Sequence, residues 1–189
     1  MSIKNIVFDF GGVLVDWNPE YFYETVFDDK SELQHFLNEV CTLDWNLEQD
    51  RGRTFEEGIK KLQKEHPKYE EEIAMYLDGF EVMLKEEISA NTQLIESLKE
   101  NHHVYGLTNC SAETITIIED KFSFPHKLEG IVVSGREKTV KPHSRIYEIL
   151  LERYNLNAEE CLFIDDLKEN IEGAQKAGLK GIHFSNGTN

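Results

Sequence analysis

The hydrophobic positions of this chain fall into three regimes. Residues 3–8 make a mostly apolar run through Ile3, Ile6, Val7 and Phe8 that stops at Asp9, the pattern of a buried strand. From Pro19 to about Lys85 the signals are helical. Ser31 with Gln34, and Thr54 with Glu57, have capping-box spacing, and Pro67 suits the first turn of a helix continuing through KYEEEIAMYLDGFEVMLK. This stretch of about 65 to 70 residues contains no convincing strand. After it, helices and strands alternate to the end. A helix around TQLIESLKE leads to the strand HVYGLT, and Ser111 can cap the helix AETITIIEDK before the strand GIVVS. HSRIYEILLERY places Ile146, Ile149, Leu150 and Tyr154 on one helical face. Asn157 with Glu160 can cap a short turn before CLFID, and KENIEGAQKAG is a helix closed by Gly178 before the last strand, KGIHF.

Parallel strands need crossovers, so this alternation predicts an α/β fold. Its expected form is a doubly wound, Rossmann-like parallel sheet core over residues 1–16 and 86–189, with an inserted α-helical cap over 17–85. Ligands of such sheets bind beyond the carboxyl ends of the strands. Four of those ends carry polar chemistry: Asp9 after the first strand, Thr108 and Asn109 after HVYGL, Lys141 after GIVVS, and Asp165 with Asp166 after CLFI. If the sheet is parallel, these distant residues meet at one edge.

Composition narrows what that edge can serve. A chain of 189 residues can bury one sizeable core and a smaller inserted unit. No apolar run approaches the roughly 20 residues of a membrane span, and MSIKNIVFDF has no signal-peptide cleavage pattern. A cytoplasmic protein without membrane contacts is expected, as a monomer or homodimer. Cys41, Cys110 and Cys161 are odd in number and unpaired in spacing, which fits buried, reduced thiols. The seven histidines show no metal-ligand spacing. A net charge of −16 disfavours nucleic acid as a partner. It also repels anionic metabolites, so a phosphate site must supply its own positive charge. SGREKTVKPHSR, with Arg136, Lys138, Lys141 and Arg145, is the stretch that could do so.

Each residue of the set has a use in phosphoryl transfer, where positioning and charge stabilisation dominate. An aspartate is ionised at neutral pH, its reference pKa being about 3.9, so it can attack without a general base. Lys141 and a hard divalent cation held by Asp9, Asp165 and Asp166 would relieve its repulsion by phosphate. Carboxylate ligands, with no HExxH or paired cysteines, point to magnesium.

Four segments in this order, FDFGGVL, LTN, VKP and FIDDLKENIEGA, resemble the motifs of the haloacid dehalogenase superfamily, over residues 6–174. The nearest likeness is to its helical-cap branch of sugar-phosphate phosphatases and epoxide hydrolase phosphatase domains, to which LEQDRGRTFEEGI in the cap is also similar. The resemblance implies that Asp9 is the nucleophile, forming an aspartyl-phosphate. The backbone carbonyl of Gly11 and the carboxylate of Asp166 would bind magnesium, with Asp165 a ligand or its support. Thr108, Asn109 and Lys141 would hold the phosphate. The implied activity is a phosphomonoesterase acting on a small phosphorylated metabolite, a sugar phosphate first.

One element of the pattern is missing. Most phosphatases of the superfamily have a second aspartate two residues after the nucleophile, where this chain has Gly11. General acid–base help is worth about 10² to 10⁴ in rate, so its place must be filled or its loss tolerated. Some sugar-phosphatases of the similar branch carry a like glycine motif. Asp16 or a cap residue could substitute as acid, and Glu48, Asp50 and Arg51 are cap candidates for substrate contact. The aromatics Trp17, Tyr21, Phe22, Tyr23 and Trp45 are expected to pack between cap and core. Two other functions stay open: a 2-haloacid dehalogenase, whose relatives also lack the second aspartate and need no metal, and a non-catalytic phosphate-binding regulatory module.

Overall fold

The computed structural model describes residues 2–185. Met1 and residues 186–189, which the expected core bounds include, lie outside the described residues. Among the described residues seven strands form: β1 (Asn5–Phe8), β2 (Val15–Trp17), β3 (Leu84–Glu87), β4 (His103–Thr108), β5 (Gly130–Val133), β6 (Cys161–Asp165) and β7 (Lys180–His183). Five of them make a parallel sheet in the order β5-β4-β1-β6-β7. The chain therefore builds outward from β1 on one side, then crosses back to build on the other. The carboxyl ends of β1, β4 and β6 flank the point where the order reverses, which is where such sheets open a crevice.

Period-two alternation divides β1 between two cores. Ile6 and Phe8 face Ile95, Ile115 and Ile118, from helices Leu94–Lys99 and Thr114–Lys121. Val7 faces the other way, with Ile146, Leu150 and Ile171 from helices Ser144–Tyr154 and Lys168–Lys176. Both sheet faces are covered, so the strands read as continuous apolar runs and not as alternation. Tyr147 joins the second face fully buried, its hydroxyl donating to the Asn170 carbonyl at 2.7 Å.

Between β2 and β3 the chain is helical, with helices at Glu20–Tyr23, Lys30–His35, Leu43–Asp50, Phe55–Glu65, Glu70–Ala74 and Phe80–Met83. Tyr23, Phe36, Trp45, Phe55, Tyr69 and Tyr76 are buried together and supply its interior, so Tyr23 and Trp45 pack against aromatics of the helical stretch itself, where packing between cap and core was expected.

Local details differ from the sequence reading in three places. Asp29, not Ser31, caps the helix Lys30–His35, accepting the Ser31 N–H at 2.8 Å. The Thr54–Glu57 capping box is present as expected. Pro67 opens only a single 3₁₀ turn, Pro67–Tyr69, and the expected long helix breaks into short ones on either side of Gly79. A side chain at Gly79 would overlap the Phe22 ring, so the close approach of these segments requires glycine there. Residues 84–87, expected to end a helix, instead pair antiparallel with β2. Strand formation there depends on a partner 70 residues away in sequence, which local periodicity does not report.

Candidate active site

The turn after β1 presents Asp9. Its N–H donates to the Ile164 carbonyl at 2.9 Å, and its Oδ1 accepts the Phe10 N–H at 2.7 Å. The Phe10 carbonyl then accepts from Leu14 and Val15, closing a compact loop. Gly12 sits in that loop at φ +72°, and a Cβ there would overlap the Asp166 carboxylate. Gly11 differs, since a Cβ there would meet nothing within 4 Å.

Lys141 reaches this turn from the loop after β5. Its Nζ lies 2.6 Å from Asp9 Oδ1 and 2.7 Å from Asp165 Oδ2, and its side chain is 1% exposed. Asn109 fixes the approach: its Oδ1 accepts the Lys141 N–H at 2.9 Å, and its Nδ2 donates to the Lys141 carbonyl at 3.2 Å. The side-chain amide of Asn109 thus positions the lysine. Thr108 is buried at the end of β4, with Oγ1 3.5 Å from the Asn109 carbonyl, the edge of hydrogen-bond range. Asp165 accepts from Leu167 N–H at 2.8 Å and from Asn170 Nδ2 at 3.0 Å, so it tethers the start of the helix Lys168–Lys176. Asp166 stands beside it, half-buried.

The charges of the group do not balance. Asp9, Asp165 and Asp166 bring carboxylate oxygens within 4.8 Å of one another, against the single ammonium of Lys141. Burial pushes Asp9 well above the usual carboxylate range and the charge of Asp165 adds to this, while Lys141 opposes both. Asp166 is raised by burial and by Asp165. Burial would raise Asp165 as well, but the charge and hydrogen bond of Lys141 outweigh it and hold that carboxyl low. Burial disfavours the Lys141 ammonium, yet its two carboxylate partners raise its pKa above the ordinary value. Clustered hard oxygens with surplus negative charge fit a divalent cation.

A recess adjoins this group, reached through its neighbours in the chain and not lined by the four charged side chains themselves. Gly11, Thr108 and Asn109 line it from the core, Trp17 and Phe80 from the helical side, together with Asn46 and Asp50 from the helix Leu43–Asp50. Asp50 is buried and accepts from Asn46 Nδ2 at 3.0 Å. Burial pushes its carboxyl up to about 7, against the Ser111 amide and the Lys141 charge. Sequence reasoning had placed Asp50 among three cap candidates, and it had no signal for Asn46.

Other expected residues lie elsewhere. Asp16 is on the β2–β3 ribbon, its carboxylate accepting from the Tyr21 hydroxyl at 3.0 Å, and it does not line the recess. The basic stretch does not gather. Arg145 pairs with Glu148 and Glu152, Arg136 with Glu119, and Lys141 alone of that stretch reaches the carboxylates. Glu48 and Arg51 pair with each other at the surface. All three cysteines are free and buried, as expected.

The family model for haloacid dehalogenase-like hydrolases matches residues 6–184. The chain belongs to that family. Among the proteins it is similar to is a sesquiterpene phosphatase of Aspergillus oryzae, 26% identical over 97% of this chain and 91% of the relative. A D-ribitol-5-phosphate phosphatase of Bacteroides thetaiotaomicron is 23% identical over 98% of this chain and 93% of the relative. A family enzyme of the same bacterium, crystallised with magnesium and inorganic phosphate, superposes with a TM-score of 0.78 at 23% identity, covering 100% of this chain and 97% of that one. Among the described residues no helix is long and apolar enough to cross a membrane.

Proposed function

We propose that this hydrolase is a magnesium-dependent phosphomonoesterase in which Asp9 accepts the phosphoryl group as an aspartyl-phosphate. The observation that carries the reading is the buried Asp9–Lys141–Asp165 chain beside Asp166 at the carboxyl edge of the sheet. Asp9, Asp166 and the Gly11 carbonyl would hold the cation, with Asp165 steadying Lys141 and the following helix. Magnesium bound there supplies charge neutralisation for a phosphate approaching three carboxylates. Lys141 and the Thr108 hydroxyl would bind phosphoryl oxygens, and the loop 9–15 would set Asp9 in line for attack. Residues 17–85 would act as a cap that closes the recess over the substrate. A phosphatase relative similar over nearly its whole length, and a structural neighbour crystallised with magnesium and phosphate, support the same reading. The dehalogenase alternative needs no cation and leaves the surplus carboxylates unexplained.

The sugar-phosphate expectation is narrowed by the lining. Phe10, Val15, Trp17, Phe80, Leu84 and Ile118 make the walls largely apolar, while Trp17 Nε1 and Asn46 Oδ1 are buried without partners. Unpaired buried groups are costly unless a ligand meets them. A phosphate ester of an alcohol with a mostly apolar body and few hydroxyls fits these walls better than a sugar phosphate. The test is phosphate release from a panel of prenyl, alkyl, aryl and sugar phosphates. With magnesium, release is expected, and chelator should abolish it; Asp9→Asn should lose at least about 10³-fold in kcat with an unchanged circular dichroism spectrum. Turnover of 2-haloacids in chelator, with no phosphate released from any ester, would overturn the reading.

A further inference from the structure

Gly11 leaves the position two residues after Asp9 without a side chain, and the space a Cβ would enter there is open. Apart from the nucleophile Asp9 itself, the loop 9–15 therefore offers no carboxyl to protonate a leaving oxygen. The helix Leu43–Asp50 ends with a buried carboxyl in the same recess.

We propose that Asp50 is the proton donor and acceptor of this site, replacing from the helical side the acid that Gly11 lacks. The proposal rests on the phosphomonoesterase reading above. In the first half-reaction Asp9 Oδ bonds to phosphorus, the bond from phosphorus to the substrate oxygen breaks, and that oxygen takes the Asp50 proton and leaves as an alcohol. In the second, water attacks the aspartyl-phosphate and gives its proton to Asp50. The bond from phosphorus to Asp9 breaks, releasing inorganic phosphate and restoring Asp50 as an acid.

The surroundings suit both roles. Asn46 donates to Asp50 Oδ2 at 3.0 Å and so orients the carboxyl from one turn earlier in its own helix. The segment that follows is pressed onto the core. A side chain at Gly52 would crowd the Gly135 carbonyl and the Lys138 side chain at 3.1 to 3.2 Å, and the Phe55 N–H donates to Glu113 at 2.9 Å. The titratable groups facing Asp50 are Lys141 and Cys110 from the core and Tyr76 from the helical unit. Burial raises both Cys110 and Tyr76, so both stay neutral while Asp50 titrates, and Lys141 stays charged. Asp50, held at about 7, then gives the alkaline limb of a pH profile, as a donor must be protonated.

The test compares an alkyl phosphate, a poor leaving group, with p-nitrophenyl phosphate, a good one, on the magnesium-loaded full chain. In Asp50→Asn, kcat on the alkyl ester should fall about 100-fold or more with KM changed less than about threefold. The aryl ester should give a burst of one nitrophenolate per chain followed by slow turnover, because cleavage no longer needs an acid while hydrolysis still lacks its base. Wild-type turnover of the alkyl ester should fall as pH rises through about 7, and the burst rate with the aryl ester should not. Asp50→Glu should recover part of the alkyl activity. A rise in KM with kcat kept on both esters, equal losses on both without a burst, or a wild-type alkyl profile flat from about pH 6 to 8 would overturn the proposal. The wild-type profiles decide it even if the variant fails to fold. Absence of turnover of either ester by the wild type would instead overturn the phosphomonoesterase reading.

Discussion

Lys141 and Asp50 show how one environment sets two charges in opposite ways. Lys141 is buried between two carboxylates at 2.6 and 2.7 Å and keeps its proton. Asp50 is buried beside an amide and is held near neutrality. The second arrangement has a stability consequence. The folded pKa of Asp50 lies above the unfolded value of about 3.9, so its contribution is fully present below about pH 4 and is lost as pH rises through about 7. The loss is on the order of 4 kcal/mol. Asp50→Asn removes that titration. The difference in Tm between variant and wild type should therefore shift in the variant's favour from pH 5 to pH 8, measured by thermal unfolding. A constant difference across that range would show that Asp50 ionises as freely in the folded chain as in the unfolded one.

At the scale of elements, the loop 9–15 separates two adjacent glycines by function. Gly12 has φ +72° and lies against Asp166, whereas Gly11 is open on its side-chain face. Gly12→Ala should displace the Asp166 carboxylate and strain the turn, weakening magnesium binding roughly 10-fold or more. Gly11→Ala should leave magnesium affinity within about threefold, since no neighbour has to move. Titration calorimetry with magnesium checks both. The same loop leads into β2, whose pairing with β3 was invisible in the sequence. VMLKEE carries no alternation of its own, and only its neighbour across the ribbon makes it a strand. The capping box at Thr54, by contrast, was legible because all its partners lie within three residues.

Across the whole molecule, the sheet and the helical unit together enclose the site, so occupancy should stabilise the fold as one. Magnesium with beryllofluoride, a mimic of the aspartyl-phosphate, should raise stability by about 2.7 kcal/mol at 100 times Kd. For a chain of this size that is a Tm shift of roughly 5 to 10 °C, and chelator should remove it. A shift unaffected by chelator would separate anion binding from the carboxylate cluster. The strongly acidic surface makes the internal charge balance of the site all the more necessary.

The sequence by itself determined the alternation of strands and helices in the core, the parallel sheet and the carboxyl-edge residues Asp9, Thr108, Lys141, Asp165 and Asp166, because apolar runs and the residues that end them are local signals. It also showed that the second residue after Asp9 is Gly11 and not an acid. Only the tertiary structure decided that Asn109 serves Lys141 and that Arg136 and Arg145 turn away to glutamates. It likewise left Asp16 bonded to Tyr21 and brought Asp50 into the recess. These outcomes depend on which segments distant in sequence come within hydrogen-bond distance, and on how deeply each group is buried. Neither is written in the residues that flank it.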